Sequence, residues 1–220
     1  MADRIGVVTQ SDLTNFQHEY MQPGEWLILA ANRRQSAQGK ENRMPDQTEE
    51  QFEIFSESGE RLGLKPRSYV HAHGLWHKSA HVFLFNSAGE FYLQLRAPDK
   101  DLYAGLWDYS VGEHLTPGES YLQAALRGLA EELGVTGMAL EPLGEVQQSR
   151  GELPEIGARD YELQQAFTGV WDGPIEIDPI EVSQVRTVVL AELDHWIHAR
   201  PHDFTPWLLR DLENYRILGK

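Results

Sequence analysis

The stretch Glu113–Val135, EHLTPGESYLQAALRGLAEELGV, constrains this chain more than any other. Leu122, Ala125, Leu126, Leu129 and Leu133 recur at the spacing of one helical face. Ser120 stands where an N-cap is needed and Gly134 where a helix can end. The stretch is therefore a helix with an apolar side that must pack on something. Gly128 is out of place in it, because an interior glycine costs about 1 kcal/mol relative to alanine. One turn later come Glu131 and Glu132, and Arg127 is spaced to pair with Glu131. As helix chemistry alone this is a solvated acidic face with one ion pair. As site chemistry it is a set of hard oxygen ligands for Mg²⁺, which shares its other positions with water and substrate phosphates.

Around this helix the pattern is of strands. HVFLFNSAGEFYLQLR reads as a hairpin, two apolar runs about an Asn-Ser-Ala-Gly turn. FEIF precedes it, a short strand is expected near Trp107–Val111, and further strands near GEVQQSR, YELQQAFTGV and VRTVVL. Two C-terminal helices fit AELDHWIHA and TPWLLRDLENY, the second capped by Thr205 with Pro206 in its first turn. Strands with single helices between them imply an α/β fold in which a mixed sheet is sandwiched between helices. Residues 1–51 are poorly patterned: GEWLILAAN could be a strand, and the polar tract after it reads as loop or linker.

Charge and composition narrow the partners. With 19 basic and 34 acidic residues the net charge is −15, which disfavours a nucleic-acid backbone. The chain has no cysteine, so thiolate nucleophiles and thiolate metal sites are excluded. No apolar run is long enough to span a bilayer, and none has the flanks of a signal peptide. The expectation from composition is a soluble cytoplasmic protein with no nucleic-acid or membrane partner.

The helix segment resembles the Nudix box, G-x5-E-x7-R-E-U-x-E-E-x-G-U with U aliphatic. Glu119, Arg127, Leu129, Glu131, Glu132, Gly134 and Val135 match in register, whereas Glu113 replaces the opening glycine and Gly128 replaces the glutamate after the arginine. The resemblance implies a Nudix fold over 52–220, with the box at 113–135 and 1–51 as an N-terminal extension. It also implies divalent metal, Mg²⁺ or Mn²⁺, held by Glu131 and Glu132, with Arg127 orienting the helix carboxylates.

A wider stretch, from HVFLF through SVGEH to FTPW, is similar to type I isopentenyl diphosphate isomerases, a branch of the same fold. In that branch a cysteine in S-V-C-G-H moves protons, and Gly112 stands in its place. Glycine offers no acid or base, so isomerase activity by that route is not expected. The metal features carry over better. His114 matches the loop histidine, His77 the second of two upstream histidines, and His71 or His73 the first; extended, His71 and His73 would share a face. Glu162 is the better match to the strand carboxylates and Asp160 the weaker. Arg96, Lys100 and Trp207 match residues implied to bind the substrate, the two cations suiting a diphosphate.

These readings lead to a Mg²⁺-dependent hydrolase of a diphosphate linkage in a small molecule. The alternatives are a catalytically weak binding protein of the same fold, or an isomerase-like protein without its cysteine. For Gly128 two accounts stand. Either Glu113 supplies the missing negative charge, or the site works with fewer ligands. On propensity alone, Gly128→Glu should stabilise the helix by several tenths of a kcal/mol.

Overall fold

The computed structural model describes residues 50–219, apart from residues 101, 155 and 156. GEWLILAAN, the linker after it and nearly all of the N-terminal extension lie outside the described residues.

Strands β1 (Gln51–Phe55) and β2 (Arg61–Pro66) form a two-stranded antiparallel sheet that runs into α1 (Arg67–His73). The main sheet is built from β3 (His77–Phe85), β4 (Phe91–Arg96), β5 (Trp107–Asp108), β6 (Val111–His114), β7 (Glu141–Leu153), β8 (Ala158–Val170) and β9 (Val182–Val188). Its order is β5-β4-β3-β8-β7, with β6 on β3 and β9 on β4. β3 and β8 run parallel and every other pair is antiparallel, so the sheet is mixed. The expected hairpin is present, but it is paired only at its turn end, Phe85 with Phe91. Further along, β3 takes β6 as its partner and β4 takes β9, which splays the two strands and opens the sheet where the site lies.

Helix α2 (Tyr121–Leu133) covers one face of this sheet. Leu129 and Leu133 from the helix pack there with Ala80, Val82, Leu84, Val111 and Phe167 from the strands. Helices α3 (Leu190–Ala199) and α4 (Pro206–Asn214) cover the other face, where Leu193, Leu208 and Leu212 meet Phe83, Phe91, Leu93 and Ala166. The expected sandwich of helices about a mixed sheet is therefore the fold. The caps follow the sequence too. The Ser120 hydroxyl accepts from the Gln123 N–H in a capping box, Gly134 takes φ +65°, and Thr205 caps α4. A good N-cap contributes about 1 kcal/mol.

Two details depart from the expectation. Leu122 is 42% exposed, and the buried side of α2 runs through Ala124, Ala125, Gly128, Leu129, Glu132 and Leu133. Gly128 and Glu132 thus face the sheet rather than solvent. His71 and His73 lie on a helix, not a strand, so they do not share a face.

Candidate functional site

Strand β6 divides the chemistry. Successive side chains on a strand alternate between faces. Val111 and Glu113 turn toward α2, since both would touch a Cβ placed at Gly128. Gly112 and His114 turn the other way, toward Tyr109 and the histidines of α1 and β3.

On the histidine side, α1 contributes His71, β3 His77, β6 His114 and β8 Asp160. One ligand atom from each lies within 4.8 Å of all the others. His77 is buried, and its Nδ1 lies 3.0 Å from the Leu75 carbonyl, to which Nδ1–H donates. Nε2 points into the cluster; burial opposes a charge on the ring, but Asp160 and Glu162 outweigh it and raise its pKa, so a cation would have to displace the Nε2 proton. That Nε2 and Asp160 Oδ1 face each other at 3.3 Å, both buried and without hydrogen-bond geometry. Burial and the surrounding cations hold His114 well below the usual histidine range, so it offers a lone pair. Burial opposes the charge on Asp160, but its contacts with His77 and the nearby His71 and Arg67 draw it down to about 2. Phe52 walls the cluster off, its ring stacked on His77 at 5.1 Å and tilted against His114 at 4.7 Å.

Glu162 belongs to this side as well. Its Oε1 is 3.5 Å from His114 Nε2 and its Oε2 3.8 Å from His81 Nε2. Of the two upstream histidines left open by the sequence, His71 joins the cluster. His73 turns away, its Nδ1 on the Tyr69 carbonyl and its ring stacked on Tyr69. Three imidazoles with carboxylate oxygens fit a divalent transition ion such as Mn²⁺ better than Mg²⁺, which prefers oxygen alone.

The helix carboxylates form a separate group. Glu132 is buried, and burial together with Glu113 raises its pKa to about 8. Lys100 and a hydrogen bond from Gln94 partly offset this. Burial raises Glu113 to about 7 despite Arg127, whose NH1 lies 3.1 Å from Glu113 Oε2. Glu131 is largely exposed and pairs with Arg127 at 3.2 Å. Arg127 also donates Nε and NH2 to Glu119 and NH2 to the His114 carbonyl, so it ties α2 to the loop and to β6. Glu131 and Glu132 therefore stand apart from the histidine cluster, whereas Glu162 borders it through His114.

Gly128 has a steric reason. A Cβ there would stand 2.6 Å from Val111 Cγ1, 3.2 Å from Glu113 Cβ and 3.4 Å from Glu113 Oε2. The stabilisation expected of Gly128→Glu from propensity is overturned, because the position is in close contact with the strand. Gly112 is equally constrained: a Cβ there would lie 2.5 Å from the Tyr109 ring, which fills that volume.

Arg96 and Trp207 meet at buried Asp108. Arg96 NH1 lies 3.1 Å from Asp108 Oδ2, the Trp207 Nε1–H donates to the same carboxylate, and the guanidinium sits 5.2 Å from the Trp207 ring. Lys100 pairs with Glu181 and acts electrostatically on Glu132.

The family model of the NUDIX domain matches residues 75–208. The chain belongs to the Nudix family. An isopentenyl-diphosphate Delta-isomerase of Nocardia farcinica is 36% identical over 162 residues, 73% of this chain and 91% of that protein. A Nudix hydrolase of Arabidopsis thaliana is 44% identical over 89 residues, 40% of this chain but 12% of that longer protein. A solved Deinococcus radiodurans structure superposes with a TM-score of 0.55 at 23% identity, covering 68% of this chain and 90% of that one, and supports the Nudix fold. Among the described residues no helix is long and apolar enough to cross a membrane.

His81, Asp211 and Tyr109 were not singled out in the sequence. A signal existed for His81: in HKSAH, strand alternation puts it on the face of His77. Asp211 carried none, because nothing local marks an aspartate on a helix as buried.

Proposed function

We propose that this protein is a divalent-cation-dependent hydrolase that cleaves a diphosphate linkage in a small molecule, such as a nucleoside diphosphate derivative. The observation that carries this reading is the convergence of His71, His77, His114 and Asp160 within 4.8 Å, beside a Nudix-box helix that presents buried Glu132. The imidazoles, Asp160 and Glu162 would hold one cation, with Mn²⁺ suited to the donors. Glu132, with Glu113 near it, would face Mg²⁺ shared with the substrate phosphates.

A bound cation supplies a Lewis acid and lowers the pKa of a coordinated water. The chain's own groups do the rest. Arg127 fixes the helix against β6 through Glu119 and the His114 carbonyl, which sets where Glu132 points. With its pKa raised to about 8, Glu132 holds its proton at neutral pH until a cation displaces it, which would leave the carboxylate as a ligand. Lys100 would exchange its Glu181 partner for a diphosphate oxygen, and Arg96, anchored on Asp108, would present its remaining N–H groups. Trp207, against Arg96, would border the pocket.

A second reading has one observation in its favour. The 36%-identical relative bears the name of an isomerase, and the histidine and carboxylate positions are all present. Against it, Gly112 supplies no proton donor and the Tyr109 ring occupies the space above it. A binding protein of low activity is the remaining alternative, and the absence of a carboxylate at 128 favours it.

The test is a panel of nucleoside di- and triphosphate derivatives, dinucleotides and prenyl diphosphates with Mg²⁺ or Mn²⁺. Phosphate or nucleoside monophosphate release that Glu132→Gln abolishes supports hydrolysis. A Glu132→Gln protein as active as the parent ends the assignment.

A further inference from the structure

Beside the histidine cluster lies a buried polar chain that none of the proposed steps uses. Asp211, on α4, is fully buried on a helix side it shares with Leu208 and Leu212. Its Oδ2 accepts from His81 Nδ1 at 2.9 Å and from Gln164 Nε2 at 3.1 Å, and its Oδ1 accepts from Arg210 Nε at 2.9 Å. The His81 ring, itself buried, is stacked on Tyr109 with centroids 4.4 Å apart. With Nδ1 committed to Asp211, the ring has one free direction. Along it, Nε2 faces Glu162 Oε2 at 3.8 Å, while Glu162 Oε1 faces His114.

Packing does not explain this chain. Buried ion pairs are often no better for stability than apolar residues of similar volume. Apolar side chains already fill the rest of this face of α4. A carboxylate that orients an imidazole, which in turn faces a candidate ligand, is instead the arrangement by which outer groups fix the residues that touch a metal.

We infer that His81 and Asp211 are positioning residues: Asp211 fixes the His81 ring, and its Nε2 edge, 3.8 Å from Glu162 Oε2, keeps one oxygen of Glu162 turned to it so that the other stays turned to His114. The inference rests on the reading that the histidine cluster takes a cation, and it adds that α4, far along the chain, sets the geometry of that cation's ligands.

The test uses the full chain, Co²⁺ alone as the probe, and the visible absorption of bound Co²⁺ as a signature of ligand geometry. His77→Ala first identifies the part of the signal that belongs to the cluster. His81→Phe, which keeps a ring against Tyr109, and Asp211→Asn should each weaken Co²⁺ binding by about 10- to 100-fold and alter the spectrum, as loss of an outer-shell partner does. His81→Gln, which places a polar amide toward Glu162, should recover part of what His81→Phe loses. Thermal melts of the same variants show whether each remains folded. If His81→Phe and Asp211→Asn both bind Co²⁺ with parental affinity and spectrum, the inference is wrong while the metal reading stands. If the parent shows no Co²⁺ signal that depends on His77, the metal reading falls and takes this inference with it.

Discussion

Glu113 and Gly128 face each other across the gap between β6 and α2. The Glu113 Oε2 lies 3.4 Å from the point where a side chain at 128 would begin. These are the two departures from the Nudix box, and in space they are one change: the carboxylate missing from the helix is matched by one rising from the strand opposite it. Of the two accounts that the sequence left open, this geometry favours the one in which Glu113 supplies the charge.

The first prediction concerns this pair. Gly128→Ala gains about 1 kcal/mol of helix propensity. The new Cβ, however, would stand 2.6 Å from Val111 Cγ1, and overpacking costs about 1–3 kcal/mol. The net effect should be a loss of stability, larger for Gly128→Glu, measured as a lower denaturant midpoint. A more stable Gly128→Glu would contradict the close approach. Glu113→Gln, which leaves the packing intact, should lower Mg²⁺ affinity with little change in the midpoint.

Proton linkage gives the second. Without cation, Glu132 has its pKa raised from 4.5 to about 8, mainly by burial. The folded state therefore binds more protons than the unfolded chain between these values, and this group's contribution to stability falls as pH rises through that window. A cation must displace the proton, so Mg²⁺ affinity should climb as pH rises toward about 8. In Glu132→Gln both dependences should flatten. Calorimetric titrations across that range check this, and a Mg²⁺ affinity independent of pH in the parent would count against Glu132 as a ligand.

The histidine cluster predicts a separate metal response. His77→Ala removes an imidazole that donates to the Leu75 carbonyl and turns Nε2 inward. It should abolish high-affinity Mn²⁺ binding while leaving the Mg²⁺ dependence set by Glu132 in place, because the two groups lie on opposite faces of β6. Paramagnetic resonance counts bound Mn²⁺ directly. Equal Mn²⁺ stoichiometry in His77→Ala and parent would show that the cluster holds no ion.

How much of this was legible in the sequence follows from how local each signal is. The helix, its Ser120 and Gly134 caps, and most strands about it depend on neighbours within a turn or two and formed where expected; the strand expected near Trp107–Val111 is instead two, β5 and β6. His77, His114 and Glu162 were placed by matching spacing, and they do meet. Glu131 and Glu132 are both implied by the Nudix-box match, yet adjacent helix residues point about 100° apart. One reached Arg127 at the surface and the other the core. Gly128 could not be understood from the helix alone, since its reason is Val111 on another strand. Asp211 is 130 positions from His81 and no local pattern connects them.

The last prediction concerns Gly112. Placing a cysteine there would supply the thiol that isopentenyl diphosphate isomerases use, so Gly112→Cys looks like a route to that reaction. The structure argues otherwise. A Cβ at 112 meets the Tyr109 ring at 2.5 Å, and that ring is stacked on His81 in a buried layer with Phe83 beside it. To admit the thiol, Tyr109 must leave its place, which costs the stack and its burial. Gly112→Cys should therefore lower stability and show no interconversion of isopentenyl and dimethylallyl diphosphate. Adding Tyr109→Ala removes the clash, so the double variant should regain part of the stability that Gly112→Cys loses relative to Tyr109→Ala alone. A double-mutant cycle on unfolding free energies reads this as a coupling between the two sites. Additive losses would show that Tyr109 does not occupy the space above Gly112, and isomerase turnover by Gly112→Cys alone, in protein free of host enzyme, would show that the ring yields readily.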